Sequence, residues 1–324
     1  MNRESSYQQH LHKPRSAGEY AGLAARGFAM GSADVVPGVS GGTMAFILGI
    51  YEELIESIRA IGRPEFFRPL LRGRIAEALR AINFYFLAAV GSGILLAILT
   101  LARGLEWLLE NRPVLVWSFF FGLVLASVLT VSRRVTRWNP LLVFLTIAGT
   151  AAAWVFVGLV PVQTPETWWF LFFAGALAIC AMILPGISGA FLLLLLGKYQ
   201  YVLSAVNDRN FVPIFWVVLG AMVGIVSFAQ VLGWLFRTHP DGTVSVLTGL
   251  MVGSLRKVWP WKEDVAFIIG SHGERIPTIQ RNILPSAGDD VLMAVALAVT
   301  GLILVLVLEW WANRAGESEL KTGT

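Results

Sequence analysis

Two glycine-rich segments that interrupt apolar sequence hold the residues most able to bind a ligand. The first, residues 26–51, reads RGFAMGSADVVPGVSGGTMAFILGIY and combines Arg26 and Asp34 with a helix break at Pro37-Gly38. A helix that only has to cross lipid has no use for these residues, because irregular backbone survives at membrane depth only where protein or a water-filled cavity satisfies its polar groups. An ionisable residue in that setting is a functional-site hypothesis by default.

The same pattern returns in residues 183–199, which read ILPGISGAFLLLLLGKY. Its break, Pro185-Gly186, follows the first at a constant offset (185 − 37 = 148). The matching residues are Pro37, Gly38, Ser40, Gly41, Gly49 and Tyr51 in the first copy and Pro185, Gly186, Ser188, Gly189, Gly197 and Tyr199 in the second. FGLVLAS (121–127) also resembles TGLMVGS (248–254), at an offset of 127 (248 − 121). The chain therefore contains an internal duplication, and this repeat is the strongest indication of the fold in the sequence.

A helix that begins after each break offers a site for an anion. Its first amides have no partner within the helix, and its N-terminus carries about half a positive charge and binds anions readily. Two such termini facing each other form a cradle whose most natural ligand is a phosphate, and an arginine adds a full charge and a planar fork of donors. The candidate substrate-binding residues are Arg26, Ser40, Gly41, Gly42, Thr43, Ser188 and Gly189.

Two carboxyl groups, Asp34 and Glu52, flank this cradle in the sequence. An acidic residue beside the cradle repels an anionic substrate unless it is protonated. We therefore expect Asp34, together with Glu52, to bind and release a proton, with sodium as the alternative ion.

Each of these residues also has a purely structural explanation. Ser40 and Ser188 can be N-caps, which is the commonest use of serine before a helix. The glycines, Gly49 included, can serve close helix packing, which the four-residue spacing of Gly27 and Gly31 permits. Arg26 can extend to the membrane interface, and Asp34 can cap nearby backbone amides. The sequence leaves these alternatives open.

The composition places the chain in a membrane. Hydrophobic residues make up 56% of the 324 and charged residues 14%, with a mean hydropathy of +0.68. Soluble domains are about 45–50% apolar and about 25% charged. A single cysteine, Cys180, excludes an intrachain disulfide, and the four histidines lie outside the apolar runs, so we expect no metal and no cofactor. The arginines of the 59–82 connector, suited to an anionic membrane face, explain the basic pI, so nucleic acid is not implied.

The expected fold is an all-α polytopic membrane protein made of two inverted repeats, each a re-entrant helical hairpin plus about three transmembrane helices. In the first hairpin, one arm should run from Ala21 to Val36 and the other as a single helix from Ser40 to Ile58. The full spans are expected at about 84–102, 114–131, 141–160, 212–236, 244–256 plus flanks, and 290–310. Each repeat then crosses the membrane an odd number of times, which inverts the second copy relative to the first.

The expected organisation has two repeats between two tails. Residues 1–17 form a cytoplasmic tail, 18–160 the first repeat, 161–312 the second, and 313–324 a C-terminal tail. The positive-inside rule places the N-terminus in the cytoplasm. Residues 257–288 are expected to be the longest polar loop.

The sequence lacks a Walker A lysine motif, HExxH and a Cys/His cluster. GVSGG (38–42) fits the G-x-S-x-G pattern, but it follows an expected helix and not a strand, so it is not a nucleophile elbow and we expect no enzyme. The pattern of inverted repeats and broken helices favours a transporter. A small-anion transporter or channel with the same cradle is the main alternative. A membrane enzyme acting on lipid phosphates is a weaker one.

The motifs MGSADVVPGVSGGTMAFILGIYEELI and ICAMILPGISGAFLLLLLGKY resemble the PopT-type polyprenyl-phosphate translocases, formerly catalogued as a domain of unknown function. The resemblance covers most of the chain, from about Arg26 to the last span. It implies a flippase in a bacterial cytoplasmic membrane that returns undecaprenyl phosphate, the lipid carrier for cell-wall glycans, from the outer to the inner leaflet. The functional positions that it implies are Arg26, Asp34, Pro37, Gly38, Ser40, Gly41, Gly42, Glu52, Pro185, Gly186, Ser188 and Gly189.

The two copies differ within the motif. Ala190 and Phe191 stand where the first copy has Gly42 and Thr43. The cradle is therefore expected to be asymmetric.

Overall fold

A computed structural model describes residues 15–35, 40–162, 164–269, 275–286 and 290–322. The first break, Pro37-Gly38, lies outside the described residues, as do the histidines near the N-terminus.

The described chain is all-α apart from one pair of strands. The helices of the first half are α1 (Ala17–Asp34), α2 (Gly41–Ile47), α3 (Tyr51–Ile61), α4 (Pro64–Leu71), α5 (Ile75–Ala81), α6 (Phe84–Asn111), α7 (Pro113–Ser132) and α8 (Pro140–Val157). Those of the second half are α9 (Trp168–Ile183), α10 (Gly189–Leu195), α11 (Tyr199–Asn207), α12 (Phe211–Thr238), α13 (Pro240–Val258) and α14 (Val291–Thr322). The strands β1 (Lys262–Ile269) and β2 (Arg275–Asn282) lie between α13 and α14.

Within the described ranges, five helices are long and apolar enough to cross a membrane, and they coincide with five of the six expected spans. Their apolar parts are Phe84–Leu101, Pro113–Ser132, Pro140–Val157, Phe211–Thr238 and Val291–Trp310. The sixth expected span, 244–256 plus flanks, is the 19-residue helix α13, which is too polar to belong to this group. Its side chains from Thr243 to Ser254 are mostly buried by other helices, so α13 does not need a uniformly apolar surface.

The helices α7 and α13 pack against each other at the centre of the bundle. In the span of α7, 61% of the residues are buried, against 17–22% in the other four spans. Each central helix also packs on the last helix of the other half: α7 on α14, and α13 on α8. The last helix of each half therefore packs against the central helix of the other half.

Glycines at equivalent positions of the two halves allow the closest helix approaches. The predicted packing role of Gly27 is confirmed, because a side chain there would overlap the backbone of Val90 on α6. Gly175 on α9 makes the same approach to Val217 on α12, and 175 − 27 is the offset of 148. Four further positions repeat the pattern between the central and last helices: Gly122 and Gly301 join α7 to α14, and Gly249 and Gly149 join α13 to α8. Small residues at such contacts are the usual device for packing helices in lipid.

The second arm of each helical hairpin is broken, so the predicted single helix from Ser40 to Ile58 is wrong. The helix α2 ends at Ile47 and α3 begins at Tyr51, with Gly49 between them at a φ of +72°. Its equivalent, Gly197, has a φ of +63°, and α10 and α11 meet at a bend of 108°. No atom lies within 4 Å of a Cβ built on Gly49, so this glycine serves the left-handed backbone and not helix packing.

The predicted polar loop 257–288 contains an unexpected β-hairpin. The strands β1 and β2 pair antiparallel, with Lys262 opposite Asn282. Trp259 Nε1 donates to the Ile283 carbonyl at 2.9 Å, and Asn282 Nδ2 donates to the Arg256 carbonyl at 2.9 Å. These bonds fix the base of the β-hairpin on the end of α13.

We predict opposite effects for two glycine substitutions on α6. Gly93→Ala should destabilise the protein by about 1–3 kcal/mol, because the new methyl group meets the Ala24 backbone of α1. Gly91→Ala meets no atom within 4 Å and should be neutral or stabilise by up to about 1 kcal/mol, since alanine favours helix. Unfolding of both variants in detergent, followed by circular dichroism, measures this difference. Equal stabilities would show that α1 and α6 do not pack as described.

Candidate functional site

The second helix break packs directly against the start of α2, in agreement with the expectation that the two discontinuous elements meet. The Ser40 hydroxyl lies 3.2 Å from the carbonyl oxygens of both Met182 and Leu184. The amide of Gly186 donates to Thr43 Oγ1 at 3.1 Å. A further bond comes from the buried Tyr51 hydroxyl, which donates to the Ile183 carbonyl at 3.2 Å. We name these bonds, from Ser40, Thr43 and Tyr51 to the backbone of 182–186, the break contact.

The local sequence explains why Ser40 and Thr43 take these positions. Ser40 is extended and is the N-cap of α2, where its hydroxyl accepts a hydrogen bond from the Gly42 amide at 3.1 Å. The Thr43 amide donates to the Ser40 carbonyl at 2.9 Å. A side chain on Gly42 would overlap the Ile183 carbonyl, so glycine is required for α2 to approach the end of α9 this closely. The capping role of Ser40 and its contact with the second half therefore occur together.

The Asp34 carboxylate accepts a hydrogen bond from the first backbone amide of α2, that of Gly41. Asp34 is the last residue of α1, and its Oδ1 accepts this hydrogen bond at 2.6 Å. A side chain on Gly41 would overlap this carboxylate. In this conformation the amides of Gly41, Gly42 and Thr43 all have protein acceptors, and the anion at the positive end of α2 is the protein's own.

The second copy has no carboxylate at this position. Met182 takes the place of Asp34 at the offset of 148. Ser188 is the N-cap of α10 and accepts from the Phe191 amide at 3.4 Å, a longer bond than in the first copy. A side chain on Gly189 would meet the Ala178 carbonyl within its own helical hairpin. The starts of α2 and α10 therefore differ in structure as well as in sequence.

Gly186 has a left-handed backbone at the second break. Its φ is +87°, and a Cβ there would lie 2.9 Å from Ser254 Oγ on the central helix α13. The residue before it, Pro185, stops α9, which ends at Ile183. The turn after α9 thus needs glycine for its conformation and for the approach of α13.

Glu52 joins a charge cluster that the sequence reasoning missed. It lies at the start of α3 and interacts electrostatically with Arg134, which follows the end of α7. Arg134 Nη2 donates to the Phe46 carbonyl of α2 at 2.9 Å and also attracts Glu309 on α14. Thr130 donates to Glu309 Oε2 at 2.8 Å. The position of Arg134 just past a span suggests only an orientation signal, so its contact with the broken helix was not predictable.

Arg26 is not brought to the break contact. It lies on α1 two turns before Asp34, which places the two Cα atoms about 12 Å apart along the helix axis. The spacing of eight residues keeps Arg26 on the face that also carries Met30 and Asp34. Arg26 is half-buried and forms no ion pair within the described part of the chain.

A buried lysine supports the second helical hairpin. Lys198 is 2% exposed and stands where the first copy has Ile50. Its Nζ donates to the Thr164 carbonyl at 2.7 Å and lies 5.6 Å from the ring centroid of Tyr201. The ammonium group therefore ties α11 to the segment before α9.

Over the ranges that the structure describes, no three His, Cys, Asp or Glu side chains cluster in a way that could hold a metal ion.

Comparison with known proteins identifies the family. The family model for undecaprenyl phosphate translocase-like proteins matches residues 30–276. A polyprenyl-phosphate transporter of Vibrio cholerae is 43% identical over 296 residues, which cover 89% of this chain and 96% of the relative. A polyprenyl-phosphate transporter of Staphylococcus aureus is 33% identical over 253 residues, covering 72% of this chain and 84% of the relative. No solved structure matches the chain.

The family match contains both helix breaks, the break contact and Asp34, and the Vibrio cholerae relative covers nearly the whole chain. On this evidence, the chain belongs to the undecaprenyl phosphate translocase-like family.

Proposed function

We propose that this protein is a membrane transporter that returns undecaprenyl phosphate, or a related polyprenyl phosphate, from the outer to the inner leaflet of a bacterial cytoplasmic membrane. The observation that carries the proposal is the break contact, in which two interrupted helices meet inside a bundle of membrane-spanning helices. Substrate sites of transporters commonly lie where such helices meet. The names of the relatives indicate the lipid.

The positions of the two connectors support an inverted arrangement of the repeats. In the last turn of α3, Arg59 Nε donates to Gln230 Oε1 near the C-terminal end of α12, at 2.9 Å. The equivalent helix α11 leads instead into Phe211 at the other end of α12. Gln230 and Phe211 are about 28 Å apart at the rise of an α-helix, close to the roughly 30 Å thickness of a bilayer core. With the N-terminus inside, the 59–82 connector is cytoplasmic and residues 198–210 are outside.

Asp34 gives this site a means of coupling transport to a cation. When ionised, its carboxylate holds the Gly41 amide and repels a phosphate. When protonated, it holds that amide less tightly and can itself donate a hydrogen bond to the phosphate. We infer that a proton and the lipid phosphate load together from outside, and that ionisation of Asp34 then helps to eject the phosphate inside. Glu52, which is attracted to Arg134, is a second acceptor for the proton.

The proposal contains no chemical step on the lipid, and two alternatives predict different products. A small-anion transporter or channel with the same cradle would move inorganic anions. A membrane enzyme acting on lipid phosphates would release inorganic phosphate. Measuring both products with the purified protein separates these functions from lipid transport.

The inverted arrangement predicts that the two connectors face opposite sides of the membrane. Single cysteines replace the exposed residues Arg72 and Asp208 in a Cys180→Ser background. A membrane-impermeant maleimide applied to intact cells should label the cysteine at position 208 and not that at 72. Labelling of both positions from the same side would exclude inversion.

The hypothesis that Arg26 contacts the lipid phosphate predicts a graded effect at this position. Arg26→Ala should lower transport in proteoliposomes by roughly tenfold or more, because a hydrogen bond to a charged group is worth about 1.5–3 kcal/mol. Arg26→Lys should lower it less, since only the fork of donors is lost. Arg80→Ala, in the exposed part of the connector, is the matched control and should transport normally. If Arg26→Ala transports as well as Arg80→Ala, Arg26 does not meet the substrate.

The coupling hypothesis predicts that Asp34→Asn separates binding from coupling. The asparagine oxygen can still accept from the Gly41 amide, but it carries no proton to exchange. The variant should bind polyprenyl phosphate and lose the response of transport to an imposed proton gradient. Asp241→Asn, at the start of α13, is the control and should keep that response. A wild-type rate indifferent to the gradient, together with a fully active Asp34→Asn, would favour passive exchange or sodium coupling.

A further inference from the structure

A cavity of about 120 Å³ lies between the β-hairpin and the ends of three helices. This volume is well above the roughly 10–15 Å³ that one water requires. Its walls come from the end of α8 and the following residues 157–160, from Phe191 at the start of α10, and from the end of α13. Its polar lining consists of Arg256, Lys257, Lys262, Gln280 and Asn282.

The Nζ atom of Lys262 is buried and has no hydrogen-bond acceptor among the described residues. The Nζ lies 3.5 Å from the ring centroid of Trp117 on α7, which stabilises an ammonium group but accepts none of its hydrogen bonds. Burial lowers the pKa of Lys262 well below its usual value, and repulsion from Lys257 lowers it further, whereas Asp264 opposes the shift. A bound anion would supply the missing acceptor.

Lys257 and Arg256 bring two more positive charges to the same cavity. Lys257 Nζ lies 4.7 Å from the ring centroid of Phe191 and 3.5 Å from Gln280 Oε1. The Arg256 guanidinium donates to the Trp154 carbonyl at 2.8 Å, and a side chain on Gly158 would displace it. Arg256 is therefore held in place at the rim, while the ammonium groups of the lysines keep donors free.

One carboxylate near the cavity partly balances these charges. Asp264 attracts both lysines, and its Oδ1 accepts a hydrogen bond from Gln280 Nε2 at 2.8 Å. A bound anion favours the charged form of Lys262, and three cations less one carboxylate then leave two positive charges. A phosphate monoester carries about −1.5 to −2 charges at neutral pH. Its oxygens also match a lining that consists mainly of hydrogen-bond donors.

We propose that this cavity is a second binding site, which holds a phosphate group through Lys257 and Lys262. The bonds from Trp259 and Asn282 to backbone carbonyls fix the β-hairpin on α13, so the site is preformed. Phe191 belongs to the first turn of α10, and the cavity therefore borders the second helix break. The phosphate is either the head group of the transported lipid, an identification that rests on the proposed function, or inorganic phosphate.

Binding by purified protein in lipid nanodiscs tests the site with two probes, radiolabelled inorganic phosphate and the short-chain lipid analogue geranyl phosphate. Lys262→Gln and Lys257→Gln should each weaken binding about tenfold or more, because each removes a charged donor. Lys262→Arg should retain most of the affinity. Arg281→Gln is the matched control: Arg281 is exposed, and strand alternation places it on the opposite face of β2 from Gln280 and Asn282.

The outcomes separate the two sources of phosphate and the two proposals. A tenfold loss seen only with geranyl phosphate assigns the site to the lipid head group, and a loss with both probes assigns it to phosphate in general. Unchanged affinity of the folded Lys257→Gln and Lys262→Gln variants for both probes would overturn the site, whether or not the protein transports lipid. If these variants lose binding and the wild-type protein moves no lipid across vesicles, the site stands and the proposed function fails.

Discussion

The structure depends on one constraint, which is that every backbone group released by a helix break inside a membrane must find a partner within the protein. The first half of the chain meets this constraint for the second break. Ser40, Thr43 and Tyr51 of the first half bond to the backbone of residues 182–186 in the second. Separation of the helical hairpins would leave these groups unpaired at a cost of several kcal/mol each. Any transport motion must therefore keep the break contact or provide substitutes for it, and a lipid phosphate is a suitable substitute.

Duplication supplied two equivalent halves, and later divergence gave them different chemistry. The first copy has Asp34 at the positive end of α2, whereas the second has Met182 at the corresponding position. Near α2 and α3 the charges are mixed, with Glu52 attracted to Arg134. Near α10 they are mainly basic, with Arg256, Lys257 and Lys262 around one cavity. In the proposed inverted arrangement, the basic cavity faces outward and the carboxylates face inward. This polarity suits capture of an anion outside and its release inside.

The sequence predicted what depends on composition and local pattern. The apolar runs gave five spans, and the four-residue spacing of Gly27 and Gly31 gave the packing of α1 on α6. The repeated Pro-Gly motif indicated that the broken elements meet. What depends on distant packing was not predictable. The sequence suggested a helix-packing role for Gly49, whereas the structure shows that this glycine has a left-handed backbone. The link from Arg134 to Phe46, the β-hairpin and the cluster around Lys262 each join segments that are far apart in the chain.

The central claim is that this chain moves a polyprenyl phosphate across a bilayer without altering it. The most direct measurement uses proteoliposomes that contain a polyprenyl phosphate labelled with a fluorophore in both leaflets, to which a membrane-impermeant quencher is added. Our account predicts that the inner-leaflet pool becomes accessible to the quencher when the protein is present, with no release of inorganic phosphate. An inner pool as protected as in protein-free vesicles, or loss of phosphate from the lipid, would contradict it.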